Sequence, residues 1–423
     1  MLQLQYIRDN KEEVITRLGV KNLDARTSVE KILDLDAQRR KLQNELDTQL
    51  NEANVLARQI GELMKTGKKP EAETLKAQSS ALKEQAKKLE ETLRTSEEEL
   101  NKTLVLLPNI PNHLVPKGRT PEENETVFTH GEIPLLPDNA LPHWELITKY
   151  NLIDFELGVK LTGAGFPVYT NKGARLQRAL INFFLDRATA AGYMEVQPPI
   201  LVNEASGFGT GQLPDKEGQM YHVGVDNLYL IPTAEVPITN MYRDVILKGT
   251  QLPVKNCGYT PCFRREAGAW GAHVRGLNRL HQFDKVEIVQ IAHPSKSYEI
   301  LEEMRQYVAS LLQELNLPFR ILRLCGGDMS FASAMTYDLE VYSAAQKRWL
   351  EVSSVSNFES FQSNRLKLRF KEAEGKSMLA HTLNGSALAL PRIVAALLEN
   401  NQTPEGIRIP EVLVSYTGFD LIS

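Results

Sequence analysis

Between residues 28 and 103, apolar side chains recur at alternating steps of three and four. Before a break at Gly67-Lys68-Lys69-Pro70 they are Ile32, Leu35, Leu42, Leu46, Ala53, Leu56, Ile60 and Leu63. After it they are Leu75, Leu82, Ala86, Leu89, Leu93 and Leu100. A stripe this narrow is the seam of a coiled coil, not the broader face of a helix laid on a globular core. With only a short polar turn at the break, the two helices should fold back as an antiparallel hairpin. At 1.5 Å per residue each arm would reach roughly 50 Å. Having little apolar surface to bury elsewhere, the hairpin should project. Periodicity alone makes it an oligomerisation or spacer element, and its nearly balanced charges do not point to RNA.

Downstream the pattern changes. Pro108, Pro111, Pro116, Pro121, Pro134 and Pro137 punctuate residues 104–138, which read as a linker. Residues 174–191 keep the spacing of an amphipathic helix, followed by the extended run Tyr193-Met194-Glu195-Val196-Gln197-Pro198-Pro199. Short apolar runs at 227–231, 286–291, 319–324 and 337–342 predict strands. Few helical crossovers separate them, so the sheet should be mainly antiparallel. The expected organisation is an N-terminal domain with the hairpin (1–103), a linker (104–138) and an α+β domain (139–423) in which helices flank a mixed, mainly antiparallel sheet.

The chain's 423 residues exceed what one core usually serves, in keeping with two domains. A net charge of −4 gives no global basic field, so any RNA contact must come from local patches or shape. Cys257, Cys262 and Cys325 are too few, and odd in number, for a disulfide framework. Cys257 and Cys262 also lack a second ligand pair at zinc-site spacing, so reduced, partly buried thiols are expected. No run of roughly 20 apolar residues offers a membrane helix, and the N-terminus lacks the basic flank and apolar run of a signal peptide. A cytosolic protein with no membrane partner is the expectation.

Two blocks carry candidate chemistry. The first opens Phe263-Arg264-Arg265-Glu266, passes a loop with Gly268, Gly271 and Gly276, and closes Arg279-Leu280-His281-Gln282-Phe283-Asp284-Lys285-Val286-Glu287. Its closing half alternates, with Phe283, Lys285 and Glu287 on one face of a strand and Gln282, Asp284 and Val286 on the other. So many charges on a strand–loop–strand suggest a polar site on a rigid sheet, although an exposed, salt-bridged hairpin would read the same way. Arginine suits phosphate because its planar fork makes paired, charge-assisted hydrogen bonds, and an aromatic face beside it can carry a base. The second block is Asn384-Gly385-Ser386-Ala387-Leu388-Ala389-Leu390-Pro391-Arg392, continuing at helical spacing to Asn400. Proline suits the first turn of that helix, and Arg392 falls at the N-terminal end, where anions bind readily.

Together with Thr233-Ala234-Glu235 and Glu351-Val352-Ser353-Ser354, these blocks resemble the motifs of class II aminoacyl-tRNA synthetases and, in their wording, the bacterial-type seryl-tRNA synthetases. Four separated motifs agree in order and spacing. The resemblance implies a class II fold, a serine–tRNA ligase activity using ATP and Mg2+, and tRNA(Ser) as RNA partner, with tRNA(Sec) as a further candidate. It also implies a homodimer whose interface includes the helix and strand of 174–199. Arg264 would meet the α-phosphate and the attacking carboxylate, Arg392 the far phosphates, and Glu351 and Ser354 the Mg2+. Arg265, Glu266, Phe283, Val352 and Ser353 would complete the ATP site, Phe283 beneath adenine and Glu266 accepting from its amine. Glu287 would hold the serine ammonium, with Thr233, Ala234, Glu235, Arg264, Asn384 and Ser386 around the small side chain. Read by itself, Glu235 is a helix-start carboxylate. The stretch Gly207-Phe208-Gly209-Thr210-Gly211-Gln212-Leu213-Pro214 corresponds to a family loop over the site, though alone it is only a loop, and Gly326-Gly327-Asp328 reads as a turn. The hairpin would grip the long variable arm of tRNA, with Arg40, Lys41, Arg58, Lys65, Lys68 and Lys69 as candidate phosphate contacts.

The chain departs from the family pattern at Ala269 and at Ala272-His273, within the loop that ends at Arg275, and at Met335 and Val355, commonly lysine and cysteine. None of these removes a residue assigned to the chemistry. A relative that loads a carrier protein would lack the long hairpin. A non-catalytic scaffold would be expected to lose Arg264, Glu287, Glu351 or Arg392, and all four are present.

Overall fold

The computed structural model describes residues 1–215, 217–266 and 275–423. They divide into two compact units, 1–19 with 23–108, and 20–22 with 109–423.

In the first unit, α1 (Arg26–Lys65) and α2 (Lys69–Leu104) form the hairpin. Leu46, Ala86 and Leu93 are buried, with Leu42 and Leu89 packed against them. Lys31 meets Glu99 at 2.9 Å, in the antiparallel register. At the tip Gly67 has φ +77°, which lets the Lys68 amide donate back to the Leu63 carbonyl at 3.0 Å. A side chain there would strain the turn. The seam also holds a residue that periodicity does not mark. Asp36 is fully buried, whereas Leu35 is only partly so. Arg8, Arg39 and Arg40 approach its carboxylate at 2.5, 3.2 and 3.1 Å. Burial pulls the Asp36 pKa up, but the bonds from Arg8 and Arg39 outweigh it and hold the group below its ordinary value. The six basic candidates for phosphate contact, Arg40 included, are exposed.

The second unit is built on an eight-stranded sheet. In chain order its strands are β1 (Glu125–His130), β2 (Met194–Glu195), β3 (Val254–Phe263), β4 (Gln282–Ala292), β5 (Phe319–Arg323), β6 (Met335–Ser343), β7 (Arg348–Asn357) and β8 (His381–Ala389). They lie in the order β1-β5-β6-β7-β8-β4-β3-β2. Every pairing is antiparallel except β2 with β3. The helices that matter for the site are α3 (Asn171–Ala190), α4 (Glu204–Thr210), α5 (Glu235–Asn240), α6 (Ser297–Glu314), α7 (Ser360–Leu366) and α8 (Leu390–Asn400). Phe183 and Phe184 of α3, Leu312 of α6 and Leu397 of α8 join the strands' inner side chains in one continuous core.

Register brings separated motifs together. Glu287 on β4 lies opposite Ser386 on β8, Val355 on β7 opposite Gly385, and Asp338 on β6 opposite Ser354. A Cβ on Gly385 would stand 3.1 Å from Val355 Cγ2, so a side chain at position 385 would press on Val355 where these strands pair. Met335 and Val355, the two departures from the family pattern, are both buried. Cys257, Cys262 and Cys325 are free and buried. Ala269 and Ala272-His273 fall among residues 267–274, outside the described residues.

Two stretches differ from their sequence-based expectation. From residue 109 the proline-rich segment belongs to the second unit. Asn109 is buried and donates to the carbonyls of Ala332 and Phe358 at 2.9 and 2.8 Å, and β1 forms an edge of the sheet. Proline lacks only its own N–H, so a proline-punctuated chain can still lend a short edge strand. The Gly-rich run begins as the last turn of α4 and leaves it through Gly211 at φ +100°. Gly207 and Gly209 lie within that helix, and neighbours crowd the space a side chain would need. A Cβ would meet Leu213 Cδ1 at 2.8 Å and Leu366 Cδ2 at 2.5 Å respectively.

Candidate active site

A cavity of about 550 Å³ opens on the sheet where β4, β7 and β8 lie side by side, walled by α4 and the starts of α5 and α8. That volume suits a nucleotide-sized ligand. At one end a chain of polar contacts is buried. Lys285 Nζ lies 2.6 Å from a Glu287 carboxylate oxygen and donates to Thr233 Oγ1 at 2.9 Å. Thr233 in turn donates to Glu287 Oε2 at 3.0 Å. Asn384 and Ser386 complete this end of the lining. Strand alternation produces the arrangement, because residues two apart face the same way and Phe283, Lys285 and Glu287 therefore all reach the cavity.

Glu235 opens α5, as its cap-like sequence suggests, and also lines the cavity. Its Oε1 accepts from Gln362 Nε2 at 2.6 Å. Burial, reinforced by the nearby Glu287 charge, pushes its pKa from 4.5 to about 7. A raised carboxyl pKa means that the folded chain keeps a proton which the unfolded chain has already lost. Stability from this group should therefore fall as pH rises from about 4.5 to about 7, then level off. The span corresponds to a loss on the order of 3 kcal/mol. Glu235→Gln, always neutral, should gain relative to wild type across that window when urea-unfolding midpoints are compared at pH 5 and pH 8. Parallel pH curves for the two proteins would reject the raised pKa.

The other end of the cavity is cationic and aromatic. The Arg264 guanidinium lies 5.2 Å from the Phe283 ring centroid, and its Nε reaches the Pro232 carbonyl at 3.4 Å. Glu266 is ion-paired with Arg279. Arg392, in the first turn of α8, donates through Nε to the Asn278 carbonyl at 3.1 Å and through Nη1 to the Glu351 carbonyl at 2.7 Å. Its Nη1 also stands 3.6 Å from the Glu351 carboxylate. Partly exposed pairs of this kind contribute at most about 1 kcal/mol, so an incoming phosphate can take either arginine from its carboxylate.

On β7, Ser353 Oγ donates to the Ser386 carbonyl at 2.6 Å, and Ser354 Oγ donates to Asp338. Burial, with the charge of Glu351, raises the Asp338 pKa well above the usual carboxylate range. Glu351 and Ser354 are hard oxygen donors on one strand facing the cavity, and Ser354, whose hydroxyl donates to Asp338, keeps lone pairs for another partner. Among the described residues no three His, Cys, Asp or Glu side chains gather as a metal cluster. Two hard oxygens of this kind fit a cation held mostly by phosphate and water, as Mg2+ usually is.

Most of the candidate residues thus converge on one cavity. Arg265 and Ala234 do not line it. The Arg265 amide donates to the Gln219 carbonyl, and Ala234 is buried in a small cluster with Ile238 and Val289. Lys285, Arg279 and Asp338 were not assigned from sequence. Alternation with Phe283 and Glu287 could have flagged Lys285, whereas nothing local marks Asp338.

The comparisons agree with this geometry. Residues 221–401 match the tRNA synthetase class II core domain (G, H, P, S and T), and the fold is that of a class II synthetase. Residues 1–111 match the seryl-tRNA synthetase N-terminal domain. The serine–tRNA ligase of Salinibacter ruber is 51% identical over 421 residues, 99% of this chain and 98% of that protein. The corresponding ligase of a Cyanothece species is 45% identical over 424 residues, 99% of each chain. The crystal structure of seryl-tRNA synthetase from Pyrococcus horikoshii complexed with ATP has a TM-score of 0.93 and 33% identity, covering 100% of this chain and 99% of that one. This chain belongs to the seryl-tRNA synthetase family.

Proposed function

We propose that this chain is a serine–tRNA ligase that forms seryl-adenylate from L-serine and ATP and passes the seryl group to the 3′ end of tRNA(Ser). The observation that carries it is the pairing, within one cavity, of a buried Thr233–Lys285–Glu287 cluster with an arginine-flanked aromatic. In the first step an oxygen of the serine carboxylate attacks the α-phosphorus and pyrophosphate leaves. In the second, a hydroxyl of the terminal adenosine attacks the seryl carbonyl and AMP leaves. Neither step needs a protein nucleophile, so positioning and charge neutralisation carry the catalysis. Arg264 is suited to bridge the carboxylate and α-phosphate, two anions that otherwise repel. Arg392 is suited to the far phosphates. Phe283 offers adenine a stacking surface and Glu266 an acceptor for its amine. Glu287 is the partner for the serine ammonium, and Glu235, Thr233 and Ser386 surround its hydroxyl. Glu351 and Ser354 would hold Mg2+, which when bound neutralises phosphate charge.

The same proposal includes tRNA(Sec) as a further substrate, a cytoplasmic location and a homodimer joined along α3 and the β2 edge. Among the described residues no helix is long and apolar enough to cross a membrane. Serine-dependent ATP–pyrophosphate exchange, followed by charging of total tRNA, tests the function. Alanine lacks only the hydroxyl, and a site built to bind that group rejects the analogue by roughly 10⁴ because its own polar groups are left unpaired. Strong rejection of alanine, weakened in Glu235→Ala or Ser386→Ala, is expected. Alanine activated nearly as well as serine would overturn the amino-acid assignment.

A further inference from the structure

Gln362 lies outside the cavity lining, on α7 directly behind Glu235, and is 1% exposed. Its amide is fully committed. Nε2 donates to Glu235 Oε1 at 2.6 Å and to the Thr210 carbonyl at 3.0 Å. Oε1 accepts from Thr382 Oγ1 at 2.7 Å. The Thr210 carbonyl can only accept, so the end of the amide that faces it and the carboxylate is the NH2, and the oxygen end meets Thr382. Thr210 and Thr382 are each 1% exposed, and none of these groups competes with water. The bond to Thr210 ties Glu235 to the end of α4, where Thr210, Gly211 and Gln212 also line the cavity.

We infer that Gln362 is a positioning residue for serine selectivity: it occupies one oxygen of Glu235 and leaves the other as the atom offered to the substrate hydroxyl. This rests on the proposed serine site. A buried carboxyl with two free oxygens could rotate between partners, whereas one clamped by a fixed donor presents a single oxygen at a single place. Gln362 does this without charge: burial and the charge of Glu287 raise the Glu235 pKa, and the bond from Gln362 lowers it without cancelling the rise. A lysine or arginine in its place would hold the carboxylate ionised and permanently paired.

The test measures pyrophosphate exchange with serine and with alanine in wild type, Gln362→Met, Thr382→Val and Gln362→Glu. Gln362→Met keeps the volume and removes the donor. KM for serine should rise on the order of tenfold, with the alanine rate and the KM for ATP near wild type, so the serine-to-alanine ratio falls on the order of tenfold. Thr382→Val removes the hydroxyl that holds the amide oxygen, loosens the clamp and should move the ratio the same way by less, which keeps the inference testable if Gln362→Met fails to fold. Gln362→Glu sets two carboxyls side by side, and their repulsion raises the pKa at which the pair loses its shared proton above that of Glu235 alone. Serine activation by that variant should be partly retained while the pair holds the proton and should fall as pH rises beyond that point, and alanine activation should not follow it. A uniform loss for both amino acids, or an unchanged ratio in the folded variants, assigns Gln362 a purely structural part and overturns the inference alone. A wild-type protein with no serine-dependent exchange overturns the proposed function, and this inference with it.

Discussion

Arg264→Ala and Arg392→Ala are each expected to lower serine-dependent pyrophosphate exchange by about 10²–10³-fold while leaving the fold intact. Removing one preorganised donor from a developing charge costs roughly 3–4 kcal/mol of barrier, and the proposed function gives each arginine a different part of the triphosphate. Neither is a keystone of the fold. Arg264 makes one long bond to a carbonyl and lies over Phe283. Arg392 bonds two carbonyls from a partly exposed position. Their lysine variants should recover only part of the rate, since a point charge lacks the planar fork. Circular dichroism and the unfolding midpoint establish that the variants fold. Exchange within tenfold of wild type for either alanine variant, at saturating ATP, would remove that arginine from the chemistry.

What could be read in the sequence, and what could not, follows from the range of the interactions. The coiled-coil seam repeats locally, so Leu46, Ala86 and Leu93 could be placed without a structure. The alternation Phe283, Lys285, Glu287 likewise needs only the strand period. Asp36 was hidden because it breaks the apolar rule and is rescued by Arg8, 28 residues away. Gln362 was hidden more deeply. Its partners Glu235, Thr210 and Thr382 are 127, 152 and 20 residues distant, and the helix that carries it has only seven residues. Prolines at 108–137 marked breaks correctly but said nothing about burial, so Asn109 and β1 passed as linker. Glu235 shows two readings holding at once, a helix start in sequence and a cavity wall in space. Family resemblance supplied the roles of isolated motif residues, and the strand register supplies the physical reason that those motifs meet.

Shortening the hairpin is expected to separate the two half-reactions, leaving serine activation nearly unchanged while charging of tRNA(Ser) falls below detection. The cut has to respect Asp36. Arg8, from the helix Leu4–Asp9, bonds this carboxylate, so removing all of residues 28–103 would strip that helix of its partner. Excising residues 43–88 and joining Leu42 to Leu89 through a short Gly-Ser turn keeps the base of the hairpin. It gives up Leu46 and Ala86, which bury against Leu93 within the hairpin's own seam. The distal arm that is lost carries Arg58, Lys65, Lys68 and Lys69, all exposed. In the full-length chain, reversing charge at Lys68 and Lys69 should raise KM for tRNA, and the penalty should shrink as salt rises, because phosphate contacts release counterions. Exchange and charging are to be measured on the same preparations. Normal charging by the shortened protein would return the hairpin to a spacer. Loss of exchange together with charging would mean that the arm is needed for folding or for the catalytic unit itself, and that the two functions do not separate.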